Sequence, residues 1–571
     1  MKSWRFYIVV FFIGLIFAII ISRLFYLQIL RHDFYKALAD NQQQIFQTIY
    51  PIRGEIFMKD RYTDSDSRSS LFPVALNKDL SLVYAVPKDI EDKEETVRKL
   101  SPLLEIDGEI LKERINKPDD PYEPLKSKIS DETAQKIKDL NLEGIFLKSE
   151  SWRYFPANKL ACHLIGFVGF QEEQKVGRYG VEEYYEEELA GKIGFIEAKR
   201  DSLGQLISIG DRVLKEPEDG ADIILTIDPN IQFFIEKKLE EIIKSLKATG
   251  GTVIVTEVKT GAIKAMANWP SFDPNKYNEV KNINIFLNPA IHENFEPGSI
   301  FKPITMAGAL DKGAITPNTT YEDKGFVEIS GYVVKNALEG AEGIQTMTQV
   351  LEKSLNSGAI FVQQKLGKDD FKKYVEKFGF GDKTEIDLSG EEKGNISNLK
   401  RKIDLEYATA SFGQGIAVTP IQLVSAFAAI ANDGILMRPY VVEKIVYNNG
   451  EEEITKPKQI RRVISSDTAS RLTSMLVSVV KNGYGKKAGV PGYLIAGKTG
   501  TAQIPDLKTG GYSDETIHSF GEFFPAYDSR WAVLIKVDKP KTIRFAADSI
   551  TPVAKEIAQY ILNYYEVPPT Q

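Results

Sequence analysis

The sequence predicts an α/β multidomain protein: a single N-terminal transmembrane helix, an elongated α+β segment, and a C-terminal domain of helices on a mostly antiparallel sheet. Three observations predict it. Residues 6–22 form a run of 17 positions without a charge. The next stretch mixes charge-rich helical periodicity with short apolar runs. Beyond residue 218 the pattern opens on alternation, passes through long helical segments and returns to alternation.

At about 1.5 Å per residue the first run spans roughly 25 Å, the short end of a membrane crossing. Residues 24–30 extend its apolar character past Arg23, whose side chain can reach the headgroups from a helix end. No small-x-small cleavage site follows Ala18, so residues 1–30 are expected to be a cytoplasmic tail and an uncleaved anchor. Lys2 and Arg5 are matched by Arg23 and Arg31, so the positive-inside rule leaves orientation open. The order of a short basic tail followed by an apolar run favours a body outside the cytoplasmic membrane.

Residues 24–41 keep a helical pattern and meet the stalk-like Gln42, Gln43 and Gln44. Residues 62–70 are polar and expected as an exposed loop, and residues 96–141 as a charged, partly helical subdomain. Residues 180–189 carry Glu182, Glu183, Glu186, Glu187 and Glu188, expected on a solvated helix face. Near residue 218 the composition turns to Pro, Glu, Asp and Gly, which sets the main boundary. The expected division is 1–30, 31–218 and 219–571. In the last part a helix is expected over 232–246 and a hairpin over 251–268, turning at Lys259-Thr260-Gly261. Helices follow at 301–312, 348–366, 419–432 and 466–482, strands at 493–503, 518–525 and 531–537, and a last helix at 551–565.

At 571 residues, with 43% apolar and 26% charged content, the chain is too long for one core and too apolar for disorder. A net charge of -7 supplies no basic field for a polyanion, so nucleic acid is not an expected partner. Cys162 is the single cysteine, which excludes an intrachain disulfide, and its apolar setting suggests an inert buried thiol. His32, His163, His292 and His518 lack ligand spacing, so neither a metal nor a cofactor is expected.

Three patterns carry chemistry: Ser299-Ile300-Phe301-Lys302, Ser354-Leu355-Asn356 and Lys498-Thr499-Gly500. Singly they are weak, since about three SxxK matches are expected by chance at ordinary Ser and Lys usage. Such matches start at Ser299, Ser397 and Ser478, and KTG triplets at Lys259, Lys498 and Lys508. Order selects among them: Ser354-Leu355-Asn356 is the only SxN, Ser299 alone of the three serines precedes it, and only Lys498 continues strand-like sequence. A serine hydroxyl needs a base within reach to become a nucleophile. Lys302 lies one helical turn after Ser299 on the same face. Glu296-Pro297-Gly298 breaks the chain before it, placing Ser299 at a helix N-terminus, where free N–H groups favour developing negative charge. An ordinary lysine, with a pKa near 10.4, cannot accept a proton at neutral pH. Burial or a second cation must depress it, and Lys498 is the natural neighbour.

With these motifs in order, the chain resembles a class B penicillin-binding protein, the monofunctional peptidoglycan DD-transpeptidases, over nearly its whole length. The resemblance rests on Glu296-Pro297-Gly298-Ser299-Ile300-Phe301-Lys302-Pro303, Lys498-Thr499-Gly500-Thr501-Ala502-Gln503, Gly413-Gln414-Gly415-Ile416 and Thr419-Pro420-Ile421-Gln422-Leu423. Arg53-Gly54-Glu55-Ile56, Gly180-Val181-Glu182, Leu189-Ala190-Gly191-Lys192 and Leu225-Thr226-Ile227-Asp228 extend it N-terminally. One departure stands out: where the family has an Asp-Arg-Asn-Gly turn after Arg53-Gly54, this chain runs Met58-Lys59-Asp60-Arg61 into a Ser/Asp-rich insertion.

The resemblance implies a pedestal or dimerisation domain over 31–218 and a penicillin-binding transpeptidase domain over 219–571. Ser299 would attack the penultimate D-alanine carbonyl of a stem pentapeptide, with Lys302 taking its proton. Ser354 and Lys498 would relay a proton to the departing D-alanine. Asn356 would hold the donor amide, and Thr499 and Thr501, flanking Gly500, the terminal carboxylate. Backbone N–H groups of Ser299 and Thr501 would bind the oxyanion, and an amine would resolve the acyl-enzyme. β-Lactams would acylate Ser299. Implied partners are peptidoglycan stem peptides, the membrane, a SEDS-type glycosyltransferase and other cell-wall machinery. The segment around Phe520-Gly521-Glu522-Phe523-Phe524-Pro525 leans toward the division or sporulation branch. A DD-carboxypeptidase or serine β-lactamase shares the three motifs and differs in using water for deacylation, for which no placed base is evident. A polymerase motif before residue 218 and an HExxH zinc motif are both absent from the sequence, and an idle scaffold would not need Ser299, Lys302 and Lys498 together.

Overall fold

The computed structural model describes residues 44–63, 70–117, 120–172, 174–199, 212–506 and 510–569, with isolated positions 4, 15 and 17. Apart from positions 4, 15 and 17, the anchor expected over residues 1–30 lies outside the described residues, as do the stretch after it up to Gln43 and most of the 62–70 loop. Among the described residues no helix is long and apolar enough to cross a membrane. By contacts the chain forms two compact units, residues 54–189 with 221–571, and residues up to 53 with 190–220. The smaller unit contains a three-stranded antiparallel sheet of Gln44–Ile49, Gly194–Lys199 and Arg212–Lys215.

The larger unit is built on a five-stranded antiparallel sheet. Its strands are β1 (Gly250–Glu257), β2 (Ile263–Trp269), β3 (Ala496–Pro505), β4 (Tyr512–Phe524) and β5 (Trp531–Asp538), in the order β2-β1-β5-β4-β3. Alternation decides which side chains face which core. Along β5, Trp531, Val533, Ile535 and Val537 join one apolar cluster while Ala532 and Leu534 join another, as the two-residue period of a strand requires. Two helices, α1 (Pro229–Leu246) and α7 (Thr551–Tyr564), share the first cluster. On the opposite face lie α2 (Lys302–Asp311), α5 (Pro420–Ala431) and α6 (Ser466–Asn482).

Local sequence explains the helix ends. Asp228 caps α1 by accepting the Asn230 and Ile231 N–H groups, and Pro229 occupies the first turn, where its missing N–H costs nothing. Buried Ile231, Ile235, Leu239, Ile242, Ile243 and Leu246 then give α1 the apolar stripe that holds it to the sheet. In Thr419-Pro420-Ile421-Gln422, Thr419 and Gln422 close a capping box at the start of α5. The hairpin expected at Lys259-Thr260-Gly261 forms between β1 and β2.

Two expectations are corrected. The single helix expected over 348–366 is two, α3 (Met347–Glu352) and α4 (Asn356–Leu366), broken at Ser354, whose φ is 54°. The Leu355 N–H reaches back to Val350 O and the Ser354 N–H to Leu351 O, a left-handed helix stop of the kind glycine usually provides. The acidic stretch 180–189 is likewise two short helices, and Glu182 is not on a solvated face. It is fully buried, 2.6 Å from Arg153 Nε. Charge density suggested solvent, but an ion pair with good geometry makes burial tolerable.

A second, seven-stranded sheet draws on both halves of the sequence. Asp222–Leu225 pairs in parallel with Ile56–Met58 and antiparallel with Val442–Val446, and Ile56–Met58 continues to Phe72–Ala85. Arg153, on the neighbouring strand Ile145–Tyr154, donates to Gly54 O at 2.7 Å as well as to Glu182, tying the start of this sheet to the 180–189 region. In the departing Met58-Lys59-Asp60-Arg61 stretch, Arg61 pairs with Glu566 at 2.8 Å and also donates to Tyr564 O, so it docks on the end of α7. Cys162 is buried as expected, and burial pushes its thiol up to about 12.

Because an isolated buried charge costs more than a lost pair, Glu182→Ala is expected to destabilise the unit by about 3–5 kcal/mol in urea unfolding. The double change Arg153→Met with Glu182→Leu should recover most of that loss. A double variant as unstable as Glu182→Ala would show that the pair does more than neutralise itself.

Candidate functional site

Ser299 lies in a 3₁₀ turn, Gly298–Phe301, that leads directly into α2, so it sits at the helix entrance expected from the sequence. Two glycines allow this turn to lie against the edge strand β3. Gly298 has φ of 63°, and a Cβ there would come 2.8 Å from Ala502 Cβ. A Cβ on Gly500 would meet Pro297 O at 3.0 Å and Ser519 Oγ at 2.4 Å. Any side chain at either position would push the turn off the strand. The Gly298 N–H donates to Gly413 O at 2.9 Å, so the Gly413-Gln414-Gly415 segment supports the turn from behind.

Lys302 is the first residue of α2 and is 1% exposed; Lys498, on β3, is fully buried. Both amines converge on Ser354. Lys498 Nζ donates to Ser354 Oγ at 2.9 Å and to Thr499 O at 3.0 Å. Lys302 Nζ donates to Ser354 O, and lies 3.3 Å from Ser354 Oγ. The left-handed turn between α3 and α4 therefore presents both the carbonyl and the hydroxyl of one serine to the two amines. Such a backbone costs about 1–3 kcal/mol outside glycine and persists only where its surroundings hold it.

The electrostatics follow from the burial. Desolvation, then the charge of Lys498, hold the Lys302 amine well below its ordinary value. Desolvation pulls Lys498 down to about 7. The cost of two cations close together in a dry site favours the neutral form of Lys302. A neutral amine whose N–H groups point at Ser354 keeps a lone pair for another partner. With both lone pairs of Ser354 Oγ facing amines, its own proton is left to donate.

The cleft over this cluster, about 1040 Å³, is lined by Ser299, Ser354, Asn356, Thr499 and Thr501 among others. Asn356 opens α4. Its Nδ2 donates to Lys335 O at 3.0 Å, leaving Oδ1 as the acceptor for a ligand. Thr501 Oγ1 accepts the Ala546 N–H at 3.1 Å, so its hydroxyl proton is available to an anion. The structure thus gathers all eight residues singled out from the sequence: five line the cleft, Lys302 and Lys498 lie beneath it, and Gly500 gives the close approach. The expected hydrogen bond between the Ser299 hydroxyl and the Lys302 amine is not formed; among the described residues that amine is engaged by Ser354.

Sequence reading assigned no role to several residues that shape the site. Glu296 accepts from Gly415 N–H at 3.0 Å and from Tyr512 OH at 2.9 Å, joining the chain just before the Ser299 turn to the Gly413-Gln414-Gly415 segment and to β4. Burial raises its carboxyl above the usual range. Lys536, fully buried on β5, pairs with Glu293 at 2.9 Å and with Asp538, anchoring the chain a few residues before Ser299. Only the position of Glu296 inside the motif could have flagged it.

Residues 251–561 match the penicillin binding protein transpeptidase domain, and residues 48–225 the penicillin-binding protein dimerisation domain. The chain is 33% identical over 562 residues to stage V sporulation protein D of Bacillus subtilis, covering 97% of this chain and 85% of that one. It is 30% identical over 577 residues to peptidoglycan D,D-transpeptidase FtsI of Escherichia coli K12, covering 99% and 93%. The fold is similar to that of penicillin binding protein 3 from Mycobacterium tuberculosis complexed with aztreonam, with a TM-score of 0.71 at 24% identity over 92% of this chain and 98% of that one. It is also similar to penicillin binding protein 2X from Streptococcus thermophilus, with a TM-score of 0.75 at 21% identity over 91% and 80%. Two domain matches in this order, full-length relatives and a shared fold place the chain in one family: it belongs to the class B penicillin-binding proteins.

Proposed function

We propose that this chain is a serine D,D-transpeptidase of peptidoglycan synthesis that works through an acyl-enzyme on Ser299. The observation that carries the reading is the convergence of two buried lysines on Ser354 beneath the cleft that Ser299 lines. Buried amines at such a spacing are expensive to keep and are expected where a proton must be moved. Family membership supports the substrate: the terminal D-Ala-D-Ala of a stem peptide, with β-lactams as acylating mimics.

In the reaction Lys302, neutral, takes the Ser299 proton as the hydroxyl attacks the penultimate D-alanine carbonyl. The bond between the carbonyl carbon and the terminal D-alanine nitrogen breaks, and that nitrogen receives a proton through Ser354, replenished from Lys302 or Lys498. Asn356 Oδ1 accepts a donor-peptide N–H, while the hydroxyls of Thr499 and Thr501 hold the terminal carboxylate. The backbone N–H groups of Ser299 and Thr501 bind the oxyanion, an arrangement worth a few kcal/mol per donor. An amine from a neighbouring stem then takes the acyl group, which cross-links the two strands. In this reading the Ser299 hydroxyl meets the Lys302 amine in the substrate complex; apo sites are often looser than loaded ones.

The same reading divides the chain into an anchor over 1–30, a pedestal over 31–218 and the transpeptidase domain over 219–571. The catalytic domain would stand outside the cytoplasmic membrane and work beside a SEDS-type glycosyltransferase, with the division or sporulation branch favoured.

Two measurements check the reaction. Labelled penicillin should form an adduct with the wild type and none with Ser299→Ala, and a stable adduct at another serine would reject the nucleophile. With a D-Ala-D-Ala peptide and an amine acceptor, the cross-linked product should dominate; hydrolysis unaffected by the amine would favour a carboxypeptidase.

Stability should depend on pH through Lys498. With its folded pKa near 7 and the ordinary value 10.5, the unfolded state binds more protons between those limits, so stability rises with pH across them. Lys498→Met removes this titration. Its stability advantage over wild type should therefore be greatest at or below about pH 7 and shrink toward roughly pH 10 in urea unfolding. A constant difference would mean the amine is not buried neutral.

A further inference from the structure

Asp323, at the end of the strand Thr320–Asp323, is 1% exposed and lies outside every motif discussed above. Its carboxylate accepts the Ser357 hydroxyl at 2.6 Å, the Glu342 N–H at 2.9 Å, the Gly325 N–H at 3.2 Å and both contacts of Asn336 Nδ2, at 3.0 and 3.2 Å. Burial opposes its ionisation, but these donors outweigh burial and hold the carboxyl below the usual range. Asn336 follows the strand Tyr332–Lys335 on the rim of the cleft. Its Oδ1 accepts the backbone N–H groups of Asn356 at 2.8 Å and Ser357 at 3.1 Å, the first two residues of α4.

The chemistry of this chain of contacts has a direction. An ionised carboxylate can only accept, so it fixes the amide nitrogen of Asn336 toward itself and the carbonyl oxygen toward α4. That oxygen meets two of the unpaired N–H groups at the entrance of α4, and the charge behind it suits the positive end of the helix. Asn356 is in turn joined to the rim by its own Nδ2 on Lys335 O. The Asn356 backbone is thus held by one asparagine whose own orientation is set by Asp323, while its side-chain amide is held by the carbonyl of Lys335, the residue just before that asparagine.

We propose that Asp323 is a positioning residue for donor-peptide recognition, acting through Asn336 to hold Asn356 with its carbonyl oxygen toward the cleft. The inference rests on the transpeptidase reading, in which Asn356 meets the donor peptide. The sensitive substitution is Asp323→Asn, which keeps the shape and replaces one acceptor by a donor. Whichever oxygen becomes the NH₂, it faces Asn336 Nδ2 together with a further donor, the Glu342 N–H at one position or the Gly325 N–H and Ser357 hydroxyl at the other, and the charge that orients Asn336 is gone, so the polarity of the relay is weakened.

The test is acylation of the full chain by a fluorescent penicillin, resolved into the pre-acylation dissociation constant and the acylation rate, with Asn356→Ala completing a double-mutant cycle. Asp323→Asn should weaken the overall acylation constant by about tenfold in wild type but by no more than about twofold on Asn356→Ala, because residues acting through one contact are not additive. Most of the loss should fall in the dissociation constant. Asn336→Ser serves as a second lesion of the same relay and should show the same coupling. All are read on protein with a single cooperative unfolding transition. Wild-type acylation in Asp323→Asn, an undiminished loss on Asn356→Ala, or absence of folded protein for both lesions would overturn the positioning role. Absence of any wild-type adduct on Ser299 would instead reject the transpeptidase reading itself.

Discussion

Two lysine amines buried against one serine are the constraint around which this site is arranged. Lys302 arrives on α2 and Lys498 on β3, nearly two hundred residues apart, and neither reaches water. An amine in such a place is stable only if uncharged or well supplied with acceptors. Ser354 provides its carbonyl and its hydroxyl, and Thr499 a further carbonyl. The left-handed backbone at Ser354 is what lets one residue offer both groups, so the strain in the α3–α4 turn and the depressed lysines belong to the same device.

That device requires its three carriers to be held in register. Gly298 and Gly500 let the Ser299 turn lie directly on β3, and the Gly298 N–H is fixed to Gly413 O. Glu296 binds the same turn to Gly415 and Tyr512, and Lys536 fixes the preceding chain to β5 through Glu293. The third carrier, the start of α4, is held from the side by Asn336 and Asp323. One sheet strand and two helix entrances thus carry Lys498, Lys302 and Asn356, while the cleft rim includes short strands and loops.

Residues 54–189 are built into the same unit as residues 221–571 rather than merely preceding it. Ile56–Met58 pairs with Asp222–Leu225, which pairs with Val442–Val446, so one sheet is shared between segments nearly four hundred residues apart. Asp387 adds a polar link, accepting the Val441 and Val442 N–H groups and the Tyr185 hydroxyl. The buried Arg153–Glu182 pair shows how charges in this region are used to join elements instead of to meet solvent.

The amino-acid sequence determined what depends on local chemistry. Period-two alternation located the strands of the central sheet, and apolar stripes located α1, α5, α6 and α7. The order of Ser299, Ser354 and Lys498 selected the candidate set from among the copies of the SxxK and KTG patterns. Tertiary structure decided what depends on contacts between distant segments. It broke the 348–366 helix at Ser354, because that hydroxyl is needed by amines on two other elements. It buried Glu182, because Arg153 waited on a strand 29 positions earlier. It also turned Asp323 and Asn336, unremarkable in sequence, into the support of Asn356. A motif records which groups a site requires, whereas burial and the partner of each charge are properties of the packed chain.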